Sequence, residues 1–228
     1  MSKSVVLLSG GVDSTTLLYS LLEEKPPEDV IALSVLYGQK HVRELDAASR
    51  IAKDASVDHV VADLGEALLP VFAEARSSQV GRRLNVPQGH YADESMKATV
   101  VPNRNALLIS VAGALAVSIE ADEVAYAAHA GDHPIYPDCR PEFVTAMEMT
   151  LHVACGIDLY APFIEITKTD VVKIGFDIGV PYALTYSCYE GRPAHCGLCG
   201  TCQERIEAFR DSLVPDPTEY EIDIAKRA

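Results

Sequence analysis

The chain has 228 residues, 48% of them hydrophobic, with nineteen basic and thirty-three acidic side chains and a net charge of −14. That length suits one α/β domain with a sizeable core and at most a small appendage. The acidic balance argues against a nucleic-acid partner, which needs a basic footprint to displace counterions, and no apolar run approaches the roughly 20 residues of a membrane span. A Gly-Gly turn interrupts the first apolar stretch too early for a signal peptide. The expectation is a soluble, cytoplasmic protein that acts on a small molecule.

Residues 5–8 read as a buried strand. They run through Ser9-Gly10-Gly11 into a new apolar periodicity at Val12, Leu17, Leu18, Leu21 and Leu22, the spacing of a helix packed on a sheet. A second strand is expected over 29–37, an amphipathic helix over 42–55 and a third strand over 57–64. Residues 65–105 have weak periodicity, and so long a loop is expected to be a lid or substrate insertion. A helix rich in small residues follows over 105–121, then a strand over 122–129. The helix over 141–154 has proline at its first position, where a missing N–H costs nothing. A fifth strand over 158–164 precedes a helix over 167–179, opened by the capping pair Thr167 and Asp170 and closed by glycine. Strand–helix alternation implies a parallel sheet with helices on both faces, here over 1–184. Residues 185–228 form a separate C-terminal segment, with a helix from about Gln203 and a polar tail, 215–228, that could dock as a strand. Ligands of such sheets sit at the carboxyl ends of the strands, where the Ser9-Gly10-Gly11 turn falls.

The glycines of that turn permit positive φ and close approach of a ligand, and the first N–H groups of the helix lack intrahelical partners. With Ser9, Ser14, Thr15 and Thr16 around them, they make a place for phosphate. The plain alternative is a tight connection capped by Asp13 or Ser14. No lysine follows the glycines as a Walker loop requires, the G-x-G-x-x-G spacing is absent, and no glycine follows Ser14 as a nucleophile elbow requires.

Cys188, Cys196, Cys199 and Cys202 are spaced C-x7-C-x2-C-x2-C, which suits tetrahedral Zn²⁺ with no open position and hence a structural role. A disulfide framework or a redox pair are the rival readings, and His195 could replace one sulfur. Cys155 reads as a core residue.

The stretch S-G-G-V-D-S at 9–14 resembles the PP-loop of the N-type ATP pyrophosphatases, an adenine nucleotide alpha hydrolase-like, Rossmann-like group. These proteins grip the pyrophosphate of ATP and transfer AMP to a substrate oxygen. The resemblance places ATP along Leu8, Ser9, Gly10, Gly11, Val12, Asp13, Ser14, Thr15, Thr16, Leu17 and Leu18, with Asp13 beside a bridging Mg²⁺. With "YPDCRPEF" at 136–143 and "VPYALTYSCYEG" leading into "HCGLCGTCQERIEAF" at 180–209, nearly the whole chain resembles the 7-cyano-7-deazaguanine synthase family. That family implies a zinc-containing, ATP-dependent ligase, commonly a homodimer. It turns 7-carboxy-7-deazaguanine and ammonia into the nitrile of queuosine and archaeosine precursor biosynthesis.

On this resemblance Asp13, Ser14, Lys168 and Arg104 carry the chemistry, and Asp132, Tyr136, Asp138 and Arg140 bind the deazaguanine. Lys168 would add a cation at the phosphates, against the plain reading of a solvated lysine. Arg104 would clamp a phosphate or carboxylate, against a structural salt bridge. Asp138 and Arg140 could instead tie their loop to its helix. His129 and His133 read as loop structure, and Cys139 shows no reason to be covalent. Asn103 stands where the family usually has glycine, and "AHAGDHPIYPDCR" departs from the commoner form of the substrate loop. These departures bear on the acceptor, so a relative that couples the same acid to a protein amine is the nearest competing reading. A tRNA-modifying adenylase conflicts with the acidic charge, and a non-catalytic zinc module with the intact loop.

Overall fold

The computed structural model describes residues 2–39, 43–81 and 84–222. Val42, the expected start of the second helix, and the tail beyond residue 222 lie outside them. Five strands form one parallel sheet: β1 (Ser4–Leu7), β2 (Val30–Leu36), β3 (Asp58–Asp63), β4 (Glu123–Ala125) and β5 (Asp158–Tyr160). Their order is β3-β2-β1-β4-β5. Seven α-helices accompany them among the described residues: α1 (Val12–Leu22), α2 (Arg43–Asp54), α3 (Gly65–Phe72), α4 (Arg104–Ser118), α5 (Pro141–Cys155), α6 (Lys168–Asp177) and α7 (Gly200–Ser212).

The pleat of β1 divides the core. Side chains alternate along a strand, so Val5 and Leu7 face Ile109 and Ala112 of α4 and Val144 and Leu151 of α5. Val6 and the following Leu8 face Leu17 and Leu18 of α1, Ile51 of α2 and Val171 of α6. Each fully buried leucine there contributes roughly 2 kcal/mol. The small residues of α4 serve close packing: a Cβ on Gly113 would come within 2.6 Å of Leu151 Cδ2.

Strand order reverses direction at β1, with β2 and β3 on one side and β4 and β5 on the other. A crevice therefore opens at the carboxyl ends of β1 and β4. Both β4 and β5 are shorter than their apolar runs suggest. Ala128 and Phe163 owe their apolar character to burial in the two cores, beyond the ends of sheet pairing.

The stretch 65–105 holds α3, with Pro70 inside it, and a 3-10 turn at Glu94–Thr99. Phe72 and Val80 join Tyr37 and Val101 in a small core of their own. The cysteine segment, in contrast, shares the main core: Cys188, Cys196, Cys199 and Cys202 pack in the cluster of Leu8, Leu17 and Leu18. α7 starts earlier than its sequence pattern suggests because Cys199 is its N-cap residue and Gly200 its first. Tyr220 makes a single parallel bridge with His195.

Candidate active site

The turn after β1 has one residue that only glycine satisfies. Gly10 has φ +85°, and a Cβ there would run into the Glu44 carbonyl and lie 2.7 Å from the Ala48 nitrogen of α2. Gly11 is the N-cap of α1 and contributes no side chain to cover the first N–H groups. The hydroxyls instead organise the turn. Ser14 Oγ accepts the Ser9 N–H at 3.2 Å and lies 3.0 Å from Ser9 Oγ, while Thr15 Oγ1 donates to the Gly11 carbonyl at 2.6 Å. The open helix start thus borders a cavity of about 240 Å³, lined by Leu8, Ser9, Gly11, Val12, Asp13 and Ser14. Gly10, Thr15, Thr16, Leu17 and Leu18 stand behind this lining. Leu17 and Leu18 are core, and Thr16 bonds the Val12 carbonyl and the Tyr182 hydroxyl.

Charged groups from four loops and helices meet beside the turn. Lys168 opens α6, whose start is fixed by a capping box between Thr167 and Asp170. Its Nζ lies 3.0 Å from Asp13 Oδ2 and 2.9 Å from Glu204 Oε2, so it is no solvated surface lysine. His129 Nδ1 accepts the Gly131 N–H at 3.1 Å, leaving Nε2 towards Asp132 at 3.7 Å and towards Asp13 and Glu204 at 3.8 Å. His129 is thus loop structure through one nitrogen and a site group through the other.

Burial opposes charge on His129, but Asp132, Asp13 and Glu204 outweigh it and hold its pKa above the ordinary value. Burial would raise Asp13; Lys168 and His129 win and keep it below the usual carboxylate range. Glu204 goes the other way, burial exceeding the pull of Lys168 and His129. Asp13 Oδ1 is buried with no hydrogen-bond partner. An ionised oxygen in that condition is costly, and it is the kind of hard donor that a divalent cation satisfies.

The far end of the cavity is aromatic. Tyr37, Tyr91, Tyr136 and Tyr189 line it with Arg104 and Glu44. The Tyr91 hydroxyl donates to Asp132 Oδ1 at 2.8 Å, the Tyr136 hydroxyl lies 2.6 Å from Thr99 Oγ1, and the two rings are 5.9 Å apart. Arg104 is the first residue of α4, with Nε on Asn105 Oδ1 at 3.1 Å, and it forms no salt bridge with a carboxylate among the described residues. Burial pushes the Glu44 carboxyl up to about 7 against the opposing charge of Arg104. Asn103, before Arg104, has φ +56°. Asparagine is among the few non-glycine residues that tolerate this conformation, which explains the exchange with glycine there.

The expected substrate loop splits in two. Asp132 and Tyr136 line the cavity, whereas Asp138 and Arg140 do not. Asp138 Oδ2 accepts the Asn105 N–H at 3.0 Å at the start of α4, and Arg140 donates to the His133 carbonyl at 2.9 Å in an exposed position. A 3-10 turn at Pro137–Cys139 directs these two away from Tyr136. The Cys139 thiol accepts from Asn105 Nδ2 at 3.2 Å, and burial, helped by Asp132, pushes its pKa up. A protonated thiol is a poor nucleophile.

Sequence reasoning missed Glu204, Glu44, Tyr91 and Tyr189. One signal existed for Glu204. It lies with Thr201, Arg205 and Ala208 on the buried side of α7, and a charge on such a face calls for a partner.

The four cysteine sulfurs lie within 4.8 Å of one another and are all buried. Tetrahedral metal–sulfur bonds of about 2.3 Å require sulfurs about 3.8 Å apart; Cys196 and Cys202 are 3.9 Å apart. Backbone N–H groups of Leu198 and Cys199 point at Cys196 Sγ at 3.4 and 3.3 Å, and that of Cys196 at Cys188 Sγ at 3.4 Å. Such donors stabilise thiolates. His195 Nε2 is taken by the Ser187 N–H at 3.0 Å, so the donor set is four sulfurs.

A parallel sheet with its strand order reversing at a Ser-Gly-Gly-Val-Asp-Ser turn defines the adenine nucleotide alpha hydrolase-like class. The solved structures agree on the fold. The U34-tRNA thiolase NcsA from Methanococcus maripaludis superposes with TM-score 0.51 at 16% identity, over 92% of this chain and 64% of its own. NMN synthetase from Francisella tularensis gives 0.51 at 15%, over 85% and 69%. The profile described as "Queuosine biosynthesis protein QueC" matches residues 3–213, and the chain belongs to that family. It is 49% identical to the 7-cyano-7-deazaguanine synthase of Caldicellulosiruptor bescii, over 97% of this chain and 99% of that one. The enzyme of the same name from Methanoregula boonei is 46% identical over 96% and 99%.

Proposed function

We propose that this protein is an ATP-dependent C–N ligase that converts 7-carboxy-7-deazaguanine and ammonia into 7-cyano-7-deazaguanine. The observation that carries this reading is one continuous cavity. It joins a bare helix start with a largely shielded, ion-paired lysine at one end to an aromatic, arginine-bearing end at the other. The names of the relatives, which specify a cyano product, favour ammonia over a protein amine as the acceptor.

A carboxylate resists ammonia because its carbon is electron-rich and oxide is a poor leaving group. The helix N–H groups after Gly11 hold the phosphates of ATP, and Lys168 supplies positive charge beside them. Arg104 orients the acid so that its oxygen displaces pyrophosphate from the α-phosphorus in line. Ammonia then displaces AMP to give the amide. A second adenylation, on the amide oxygen, permits loss of AMP and a proton to form the nitrile. Tyr136 and its neighbours hold the ring, and Asp132 accepts from its N–H edge. Asp13, with its orphaned oxygen, would hold Mg²⁺, which when bound would offset phosphate charge. Cys188, Cys196, Cys199 and Cys202 would hold a structural Zn²⁺. Tyr91, from the stretch 65–105, lines the acceptor end, and the protein acts in the cytoplasm as a homodimer.

The test is to mix the protein with the carboxy-deazaguanine, ammonium, Mg²⁺ and ATP. Acid-dependent pyrophosphate release and a product of nitrile mass are expected. No AMP and unchanged substrate mass would end the proposal, and an adduct on a protein amine formed without ammonium would redirect it.

A further inference from the structure

Lys168 is held by two carboxylates from distant parts of the chain. Asp13 arrives with the phosphate turn, at 3.0 Å, and Glu204 with α7, at 2.9 Å. Glu204 has little freedom to do anything else. It is 9% exposed, between Cys202 and Arg205, which are both fully buried. Arg205 is pinned to Asp216, to Thr185 Oγ1 at 2.7 Å and to the Tyr182 carbonyl. Gly131 backs the carboxylate so closely that a Cβ there would come within 3.1 Å of Oε1.

We infer that Glu204 is a positioning residue: it anchors the Lys168 ammonium at the mouth of the phosphate turn and keeps Asp13 available to a cation. The inference rests on the role given above to Lys168. With Asp13 as its sole partner, the ammonium would settle over that carboxylate and neutralise it. Shared between two anions, it stays midway, and it keeps one anchor when Asp13 turns to another ligand. The pair is largely shielded from water, so removing one partner leaves a poorly compensated charge that must move. The helix that has Cys199 as its N-cap residue and carries Cys202 thereby contributes to the site as well as to the fold.

The experiment uses full-length, metal-loaded protein carrying Glu204→Gln, Lys168→Ala and both. Glu204→Gln should lower kcat for pyrophosphate release about tenfold or more. It should leave KM for the acid within about twofold, and the absorption of the cobalt-substituted cysteine site unchanged. On the Lys168→Ala background the same change should cost less than about twofold, because the two residues act as a unit. Independently of turnover, acetylation of Lys168 by acetic anhydride, followed by mass spectrometry, should be at least about threefold faster in Glu204→Gln. Unchanged Lys168 reactivity, an undiminished kcat, or a full tenfold loss on the Lys168→Ala background would each overturn the inference. Wild-type protein that releases no pyrophosphate, yet shows the reactivity change, would overturn the reaction and leave the lysine anchor standing.

Discussion

A single turn makes one wall of the cavity, while the facing wall is gathered from segments far apart in the chain. The first wall is held by main-chain geometry: the positive φ of Gly10, its contact with α2, and hydroxyls bonded within the turn. The second is held by side chains, such as Tyr91 on Asp132 and Tyr136 on Thr99. Main-chain geometry is all or none, whereas side-chain contacts are individually worth about 1 kcal/mol. Substitutions should therefore be catastrophic in one wall and graded in the other.

The largest effect is expected at Gly10. Gly10→Ala combines positive φ with a clash against the backbone of α2 and should cost about 3 kcal/mol or more. Urea unfolding measures this, and a variant as stable as wild type would break the contrast. Asp13→Asn removes the ionised oxygen but keeps its shape. It should lower turnover by about a thousandfold with the melting temperature within about 2 °C of wild type; normal activity would remove Asp13 from the cation's ligands. Cys199→Ser should lower solubility and the melting temperature by about 5 °C or more, because metal binding is folding energy in such segments. An unaffected melt would count against structural metal. Tyr91→Phe tests the gathered wall: KM for the acid should rise about three- to tenfold with kcat nearly unchanged. An abolished kcat would show that the two walls do not differ.

The smallest effect concerns pH. His129 faces Asp13, Asp132, Glu204 and Lys168, and its folded pKa is raised. The stability it supplies is fully present below about pH 6.5 and is lost as pH rises through its folded value. Melting curves of wild type and His129→Gln should diverge below that range and converge by roughly 2 °C above it. Parallel curves would mean that the pKa of the ring does not change on folding.

The same contrast explains what the chain reveals on inspection. The glycine turn is legible because its determinants are adjacent: glycines, hydroxyls and the start of a helix periodicity. The cysteine spacing is legible for the same reason. Tyr91 was hidden in a stretch without periodicity, and Glu204 meets a lysine 36 residues earlier in the chain. Adjacency also misleads. Asp138 and Arg140 follow Tyr136 closely, yet one tight turn sends them to the helix starts and away from the cavity.

Asp13 and Lys168 are separated by 155 residues, and Glu204 comes later still. The cluster of Asp13, Lys168 and Glu204 beside the glycine turn therefore cannot exist while synthesis is still in the first half of the chain. A nascent polypeptide emerging from the ribosome exposes its glycine turn early and completes it only once α7 has closed over α6. Non-local closure of this kind slows folding. Truncated or stalled products that lack α6 and α7 should thus be inert towards nucleotide.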